Sequence, residues 1–417
     1  MSKKRFGDLG LSEILCQCLS RRRHTYPTPI QQEAIPLLLQ GRDLLGLAQT
    51  GTGKTGAFSL PILQMVSELK FRPRPKQPVA LILAPTRELV IQIGSEIEAY
   101  KRGLPIRHTT IFGGVSQARQ VEALGRGAHI VVATPGRLLD LKSQGHLTLS
   151  AVRFFVLDEA DRMLDMGFIK DIRKILPVLP EKRQSLMFSA TMPKEIDRLA
   201  SDILFKPVRV EVAQQSKPVE KIEQYVCFLP TAEKRTQLEN ILSDPACERV
   251  IVFARMKHRT NRIAEQLCKA GISADAINGN KSQNARQKAL ERFKRSEIRV
   301  LVATDIAARG IDVREITHVI NYELPNEPES YVHRIGRTAR AGAVGRAISL
   351  CDPSELHYLR SIEKLIGDKI PELEAVPDAY SLSEMTEENP SGKKTPSRKK
   401  KRKPSKVKQS RYQASGN

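Results

Sequence analysis

The chain has 417 residues, 40% of them hydrophobic and 5% aromatic, with no Trp and a formal net charge of +22. This length exceeds one ordinary domain and this apolar content supports real cores, so a wholly disordered chain is excluded and two domains of roughly 200 residues are expected. The charge points to polyanions such as nucleic acid or acidic lipid, but eleven Lys and Arg with no acid from Lys393 onward supply half of it, leaving the other half on the folded body.

In chain order, candidate strands of the first half are Leu44–Ala48, Val79–Ala84, His129–Ala133, Phe154–Leu157 and Ser185–Phe188, with helix-like stretches between them. The second half repeats the rhythm with Val250–Phe253, Ala274–Ile277, Val300–Ala303, His318–Asn321 and Ala347–Leu350. Continuous Val/Ile/Leu runs separated by helices predict parallel sheets covered on both faces, hence two α/β domains in tandem. Working residues in such sheets sit just past the carboxyl ends of the strands. The polar stretch Val212–Pro218 has no apolar period and marks the boundary. The expected domains are 1–211, a first domain; 212–220, linker; 221–370, a second domain; and 371–417, a basic tail disordered by composition.

Cysteines stand at 16, 18, 227, 247, 268 and 351 without a CxxC pair, which disfavours zinc sites and disulfide scaffolds and suits a reducing, cytoplasmic setting. The first eight residues are too polar for a secretion signal. No apolar run approaches the roughly 20 residues that span a bilayer, so no membrane partner is expected.

Ala48-Gln-Thr-Gly-Thr-Gly-Lys-Thr55 follows a predicted strand and opens a predicted helix. Gly51 and Gly53 let the backbone wrap closely and turn amides from Gln49 to Thr55, including Thr50 and Thr52, toward phosphate oxygens. Lys54 would reach the β- and γ-phosphates of ATP, and the Thr55 hydroxyl would ligate Mg²⁺. Asp158-Glu-Ala-Asp161 follows the apolar run ending at Leu157; Asp158 would hold the metal, partly through water, and Glu159 would polarise the attacking water.

With Ala84-Pro-Thr-Arg-Glu-Leu89, Ser189-Ala-Thr191, Ala303-Thr-Asp-Ile-Ala-Ala-Arg-Gly-Ile-Asp312 and His333-Arg-Ile-Gly-Arg-Thr-Ala-Arg340, these motifs resemble the DEAD-box RNA helicases over residues 6 to 365. Asn278-Gly-Asn-Lys-Ser-Gln283 is most similar to the bacterial RhlE-type branch. The resemblance implies two tandem RecA-like domains and an RNA-stimulated ATPase that clamps RNA and separates short duplexes locally. It implies adenine recognition by Gln31, aided by Phe6, with His24 stacking where relatives carry a larger aromatic, and ribose contact by Asp312. Arg23 and Ala339 stand where relatives have Gly; if Ala339 requires positive φ, the change costs roughly 1 kcal/mol. Arg337 and Arg340 resemble arginine fingers that complete the site only on closure, while Ser189, Ala190, Thr191 and His333 couple the sites.

The same resemblance places single-stranded RNA on Arg87, Gly114, Thr134, Gly136 and Arg137 of the first domain and Gln283, Arg286 and Thr304 of the second. Glycines admit amides close to phosphates and arginines fork onto the oxygens, while sparse aromatics argue against base readout, so recognition is sequence-nonspecific. A monomer is expected, with ribosomal or RNA-decay complexes as partners. The run Lys399-Lys-Lys-Arg-Lys403 reads either as an RNA tether or as an import signal. A DNA helicase or translocase and a non-catalytic RNA-binding or annealing protein are the competing functions; the Gln31 motif beside Asp-Glu-Ala-Asp disfavours the first and the complete charged set the second.

Overall fold

Four-residue runs such as Leu44–Leu47, Ala80–Leu83 and Val300–Ala303 are buried at every position, because their strands lie inside sheets with apolar layers on both faces. The computed structural model describes residues 4–48, 51–69, 72–212, 222–308, 313, 315–339 and 345–373. The first lobe carries β1 (Leu44–Leu47), β2 (Ala80–Leu83), β3 (His108–Ile111), β4 (Ile130–Ala133), β5 (Phe154–Leu157), β6 (Gln184–Ser189) and β7 (Val208–Glu211). They form one parallel sheet in the order β3-β4-β2-β5-β6-β1-β7. The second lobe carries β8 (Ile222–Phe228), β9 (Val250–Phe253), β10 (Ala274–Ile277), β11 (Val300–Ala303), β12 (His318–Asn321) and β13 (Gly345–Cys351). These are parallel in the order β10-β11-β9-β12-β13-β8.

Alternation along each strand feeds two cores. Ala80 and Ile82 join Phe58 and Val90 on one face, and Leu81 and Leu83 join Leu138 and Met163 on the other. Covering helices show the complementary stripe: in Lys194–Ile203 the buried positions are Ile196, Leu199, Ala200 and Ile203. Starts are capped locally. Thr86 Oγ1 accepts from Leu89 N at 3.2 Å, and Ser282 Oγ accepts from Ala285 N at 3.3 Å.

Three strands escaped the sequence reading: β3, β7 and β8. Each lies at a sheet edge and reads His-Thr-Thr-Ile, Val-Arg-Val-Glu and Ile-Glu-Gln-Tyr-Val-Cys-Phe, so none shows the unbroken apolar run of an interior strand. The second lobe also runs past residue 370. Val226 N donates to Pro371 O at 2.9 Å and Leu373 N to Val226 O at 2.8 Å, so Pro371, Glu372 and Leu373, assigned to the tail by composition, extend its sheet edge. Most of the linker and the tail beyond Leu373 lie outside the described residues.

Candidate functional site

β6 lies between β1 and β5, so the segments leaving all three strands open on the same sheet edge. The segment after β1 turns at Gly51 (φ 91°) and Gly53 (φ 93°) into the helix Lys54–Glu68. A Cβ at Gly53 would stand 2.7 Å from Gln31 Nε2 and 2.8 Å from Thr28 Oγ1, so both space and φ require glycine there. Lys54 is 6% exposed and its Nζ lies 3.9 Å from Asp158 Oδ1, with half-buried Thr55 one residue on.

Asp158 and Glu159 are 2% and 3% exposed. Burial pushes the Asp158 carboxyl up to about 6; Lys54 pulls against this and Glu159 adds to it. Burial would raise Glu159 as well, but Arg162, Lys54 and Arg337 outweigh it and hold that carboxyl below its ordinary range. Two crowded, desolvated carboxylates beside a helix-start hydroxyl suit a hard divalent cation shared with substrate phosphates. Among the described residues no group of three or more His, Cys, Asp or Glu is placed to hold a metal ion. Asp161 joins the strand ends: its Oδ2 accepts from Ala190 N and Thr191 N at 3.0 Å each, and its own N–H donates to Ser189 Oγ at 3.3 Å.

From the second lobe, the helix Pro328–Ile335 and the turn after it bring His333, Arg334 and Arg337 to the seam. Arg334 is fully buried, forking onto Asp305 at 2.6 and 2.7 Å and donating to Asn321 Oδ1 and Glu323 O at 3.0 and 2.6 Å. Arg337, buried, donates from Nε to His333 O at 3.2 Å, and its charge acts on Glu159 of the other lobe. Gln49, Thr50, Asp312 and Arg340 lie outside the described residues.

At the expected adenine end, the Gln31 amide already works twice. Oε1 accepts from Thr28 N at 3.0 Å as a helix cap, and Nε2 donates to Gly53 O at 3.0 Å, tying this helix to the phosphate loop. Phe6 is 5% exposed and belongs to the apolar core. His24 is half-buried, with its N–H on Leu19 O at 3.0 Å.

Along the expected RNA track, a Cβ at Gly114 (φ 79°) would collide with the Arg87 guanidinium, and one at Gly113 would stand 3.9 Å from Arg137 Nη2. Burial lowers the pKa of Arg87, and the positive fields of Arg286 and Arg137 lower it further, so cations from both lobes converge. Glu88 of the first lobe accepts from Gln283 Nε2 at 3.2 Å and pairs with Arg286 Nη2 at 2.9 Å. Among the described residues Arg137 Nη1, Arg286 Nε and Gln283 Oε1 are buried without a hydrogen-bond partner. Thr134 precedes the helix Pro135–Ser143, whose first turn exposes Gly136, and Thr304 precedes the helix after β11.

Sequence reasoning gave no role to Asp161, Glu88, Arg162, Asp305 or Arg334. All except Arg162 lie inside the quoted motifs, so the signal was present, but their partners come from distant segments.

Family models described as DEAD/DEAH box helicase and as helicase conserved C-terminal domain match residues 28–199 and 233–342. A probable ATP-dependent RNA helicase DDX47 of Homo sapiens is 42% identical over 88% of this chain and 80% of its own length. An ATP-dependent rRNA helicase RRP3 of Yarrowia lipolytica is 40% identical over 91% and 77%, and an ATP-dependent RNA helicase CshA of Listeria monocytogenes 42% over 89% and 70%. The structure of S. cerevisiae Dbp5 bound to RNA and ADP BeF3 matches with TM-score 0.78 at 30% identity, covering 89% of this chain and 96% of that one.

Proposed function

This chain belongs to the DEAD-box ATP-dependent RNA helicases, and from that membership we propose how its residues divide the work. The activity is RNA-stimulated hydrolysis of ATP coupled to RNA binding; unwinding and remodelling are typical of the family. Lys54 meets the β- and γ-phosphate oxygens, and the amides around Gly51 and Gly53 line the phosphate path. Thr55 and Asp158 would hold Mg²⁺, which would supply positive charge against the phosphate oxygens. Glu159 accepts a hydrogen bond from the attacking water and turns its lone pair toward the γ-phosphorus. Arg337, with Arg340, balances the charge that develops as the bond to the γ-phosphate breaks. Gln31, His24 and Phe6 serve the base end and Asp312 the ribose.

The observation that carries this reading is the seam at which Arg337 and His333 of the second lobe meet Arg162 of the first, whose guanidinium holds the buried Glu159. A site needing both lobes hydrolyses only when they meet, and the cations shared across the RNA track make a polyanion favour that meeting. Glu159→Gln is expected to lower RNA-stimulated phosphate release by about 100-fold or more while ATP-dependent RNA binding persists. Retention of turnover within a few-fold of the parent would remove Glu159 from the role.

The RNA is bound through sugars and phosphates without sequence preference, with 2′-hydroxyls separating it from DNA. Asn278-Gly-Asn-Lys-Ser-Gln283 supports a place in the bacterial RhlE-type branch. We further propose a cytoplasmic monomer acting on ribosomal or decaying RNA, the first supported by the rRNA helicase among its relatives; RNAs crosslinked to the chain in cells report the target.

A further inference from the structure

The residue after Asp161 carries the inference. Arg162 Nη1 donates to Glu159 Oε2 at 2.5 Å, and both side chains are 4% exposed, so the pair sits almost dry. The pairing is local: both residues lie at the start of the short helix Ala160–Asp165, three apart, with Glu159 held at φ 54° and ψ 54°. That left-handed backbone fixes where the Glu159 side chain leaves the chain, and the guanidinium fixes where its carboxylate ends. Arg162 also faces the seam between the lobes, where Asp305, Ser330, His333, Arg334 and Arg337 of the second lobe close around a cavity of about 10 Å³, room for a single water at most.

A carboxylate with no fixed donor can settle in more than one rotamer, and only some of these aim an oxygen at the attacking water. Arg337 offers a counter-charge, but from the second lobe, so it arrives only with closure. Arg162 belongs to the same lobe as Glu159 and supplies its charge whether or not the lobes meet. We propose that Arg162 is a positioning residue for hydrolysis, holding the Glu159 carboxylate in its aimed orientation before the second lobe and RNA arrive. The proposal rests on Glu159 being the group that acts on the attacking water.

Arg162→Lys, Arg162→Gln and Arg162→Met in the full chain grade the effect: a shorter cation, a neutral donor and neither. Four quantities are read: RNA-stimulated kcat, KM for ATP, the melting temperature, and RNA affinity in the presence of ADP and beryllium fluoride. The expected result is a kcat falling in the order Arg, Lys, Gln, Met, by about threefold for Lys and about 10- to 100-fold for Met, with KM and RNA affinity within twofold of the parent. A kcat within twofold of the parent for both Gln and Met overturns the proposal. So does an equal fall in kcat and RNA affinity across all three variants with a lowered melting temperature, which marks a structural role. Glu159→Gln tests the underlying role separately: if that variant keeps its turnover, the reading of Glu159 fails first, whatever Arg162 does.

Discussion

Of the seven non-glycine residues with positive φ among those described, three bear on function or on kinship. Glu159, at φ 54°, bears its strain where a carboxylate must be aimed, whereas Arg23 (φ 59°) and Ala339 (φ 52°) stand at positions where the resemblance to relatives leads one to expect glycine. The positive φ of Ala339 settles the conditional cost: a Cβ in that region costs about 1 kcal/mol relative to glycine. Arg23→Gly is therefore expected to stabilise the first lobe, and Ala339→Gly the second, by several tenths to about 1 kcal/mol each, the gain reduced by the greater freedom of glycine in the unfolded chain. Urea unfolding followed by a probe in each lobe checks this. A lower midpoint for both variants would show that their side-chain contacts outweigh the backbone strain.

Helices, not single residues, join the lobes on the RNA side. The helix Arg87–Tyr100 presents Glu88 on its first turn, and the helix Gln283–Lys294 presents Gln283 and Arg286 on its own first turn. The single carboxylate therefore gathers two groups that the RNA reading needs, and leaves Gln283 Oε1 and Arg286 Nε unpartnered among the described residues. Glu88 and Arg286 are 7% and 11% exposed, so breaking their pair strands a desolvated charge. Glu88→Ala is expected to raise the RNA concentration for half-maximal ATPase stimulation by about tenfold, with little change in RNA-free turnover. An unchanged RNA dependence would mean that the helix contact is incidental to closure.

For the whole molecule, charge sets how RNA is captured and closure sets what happens to it. The basic run beyond Lys393 lies outside the described residues, and its composition suits a tether on the phosphate backbone. If six to eight of its charges meet phosphates, deleting residues 385–417 should flatten the slope of log affinity against log salt by roughly four to six units, with turnover at saturating RNA nearly unchanged. An unaltered slope would leave the import-signal reading of the tail in place. The interior strands, the phosphate loop and the acidic segment after β5 were legible in the sequence, because each is a contiguous run whose spacing carries its physics. The edge strands β3, β7 and β8 were not, since one open side tolerates polar residues and removes the apolar signal. Nor were the partnerships of Asp161 with Ala190 and Thr191, of Arg334 with Asp305, or of Glu88 with Arg286. The sequence determined which groups are present and which strand end each one leaves; strand order and lobe closure determined which of them meet, because hydrogen bonds and buried charges act over a few ångströms of space whatever their separation along the chain.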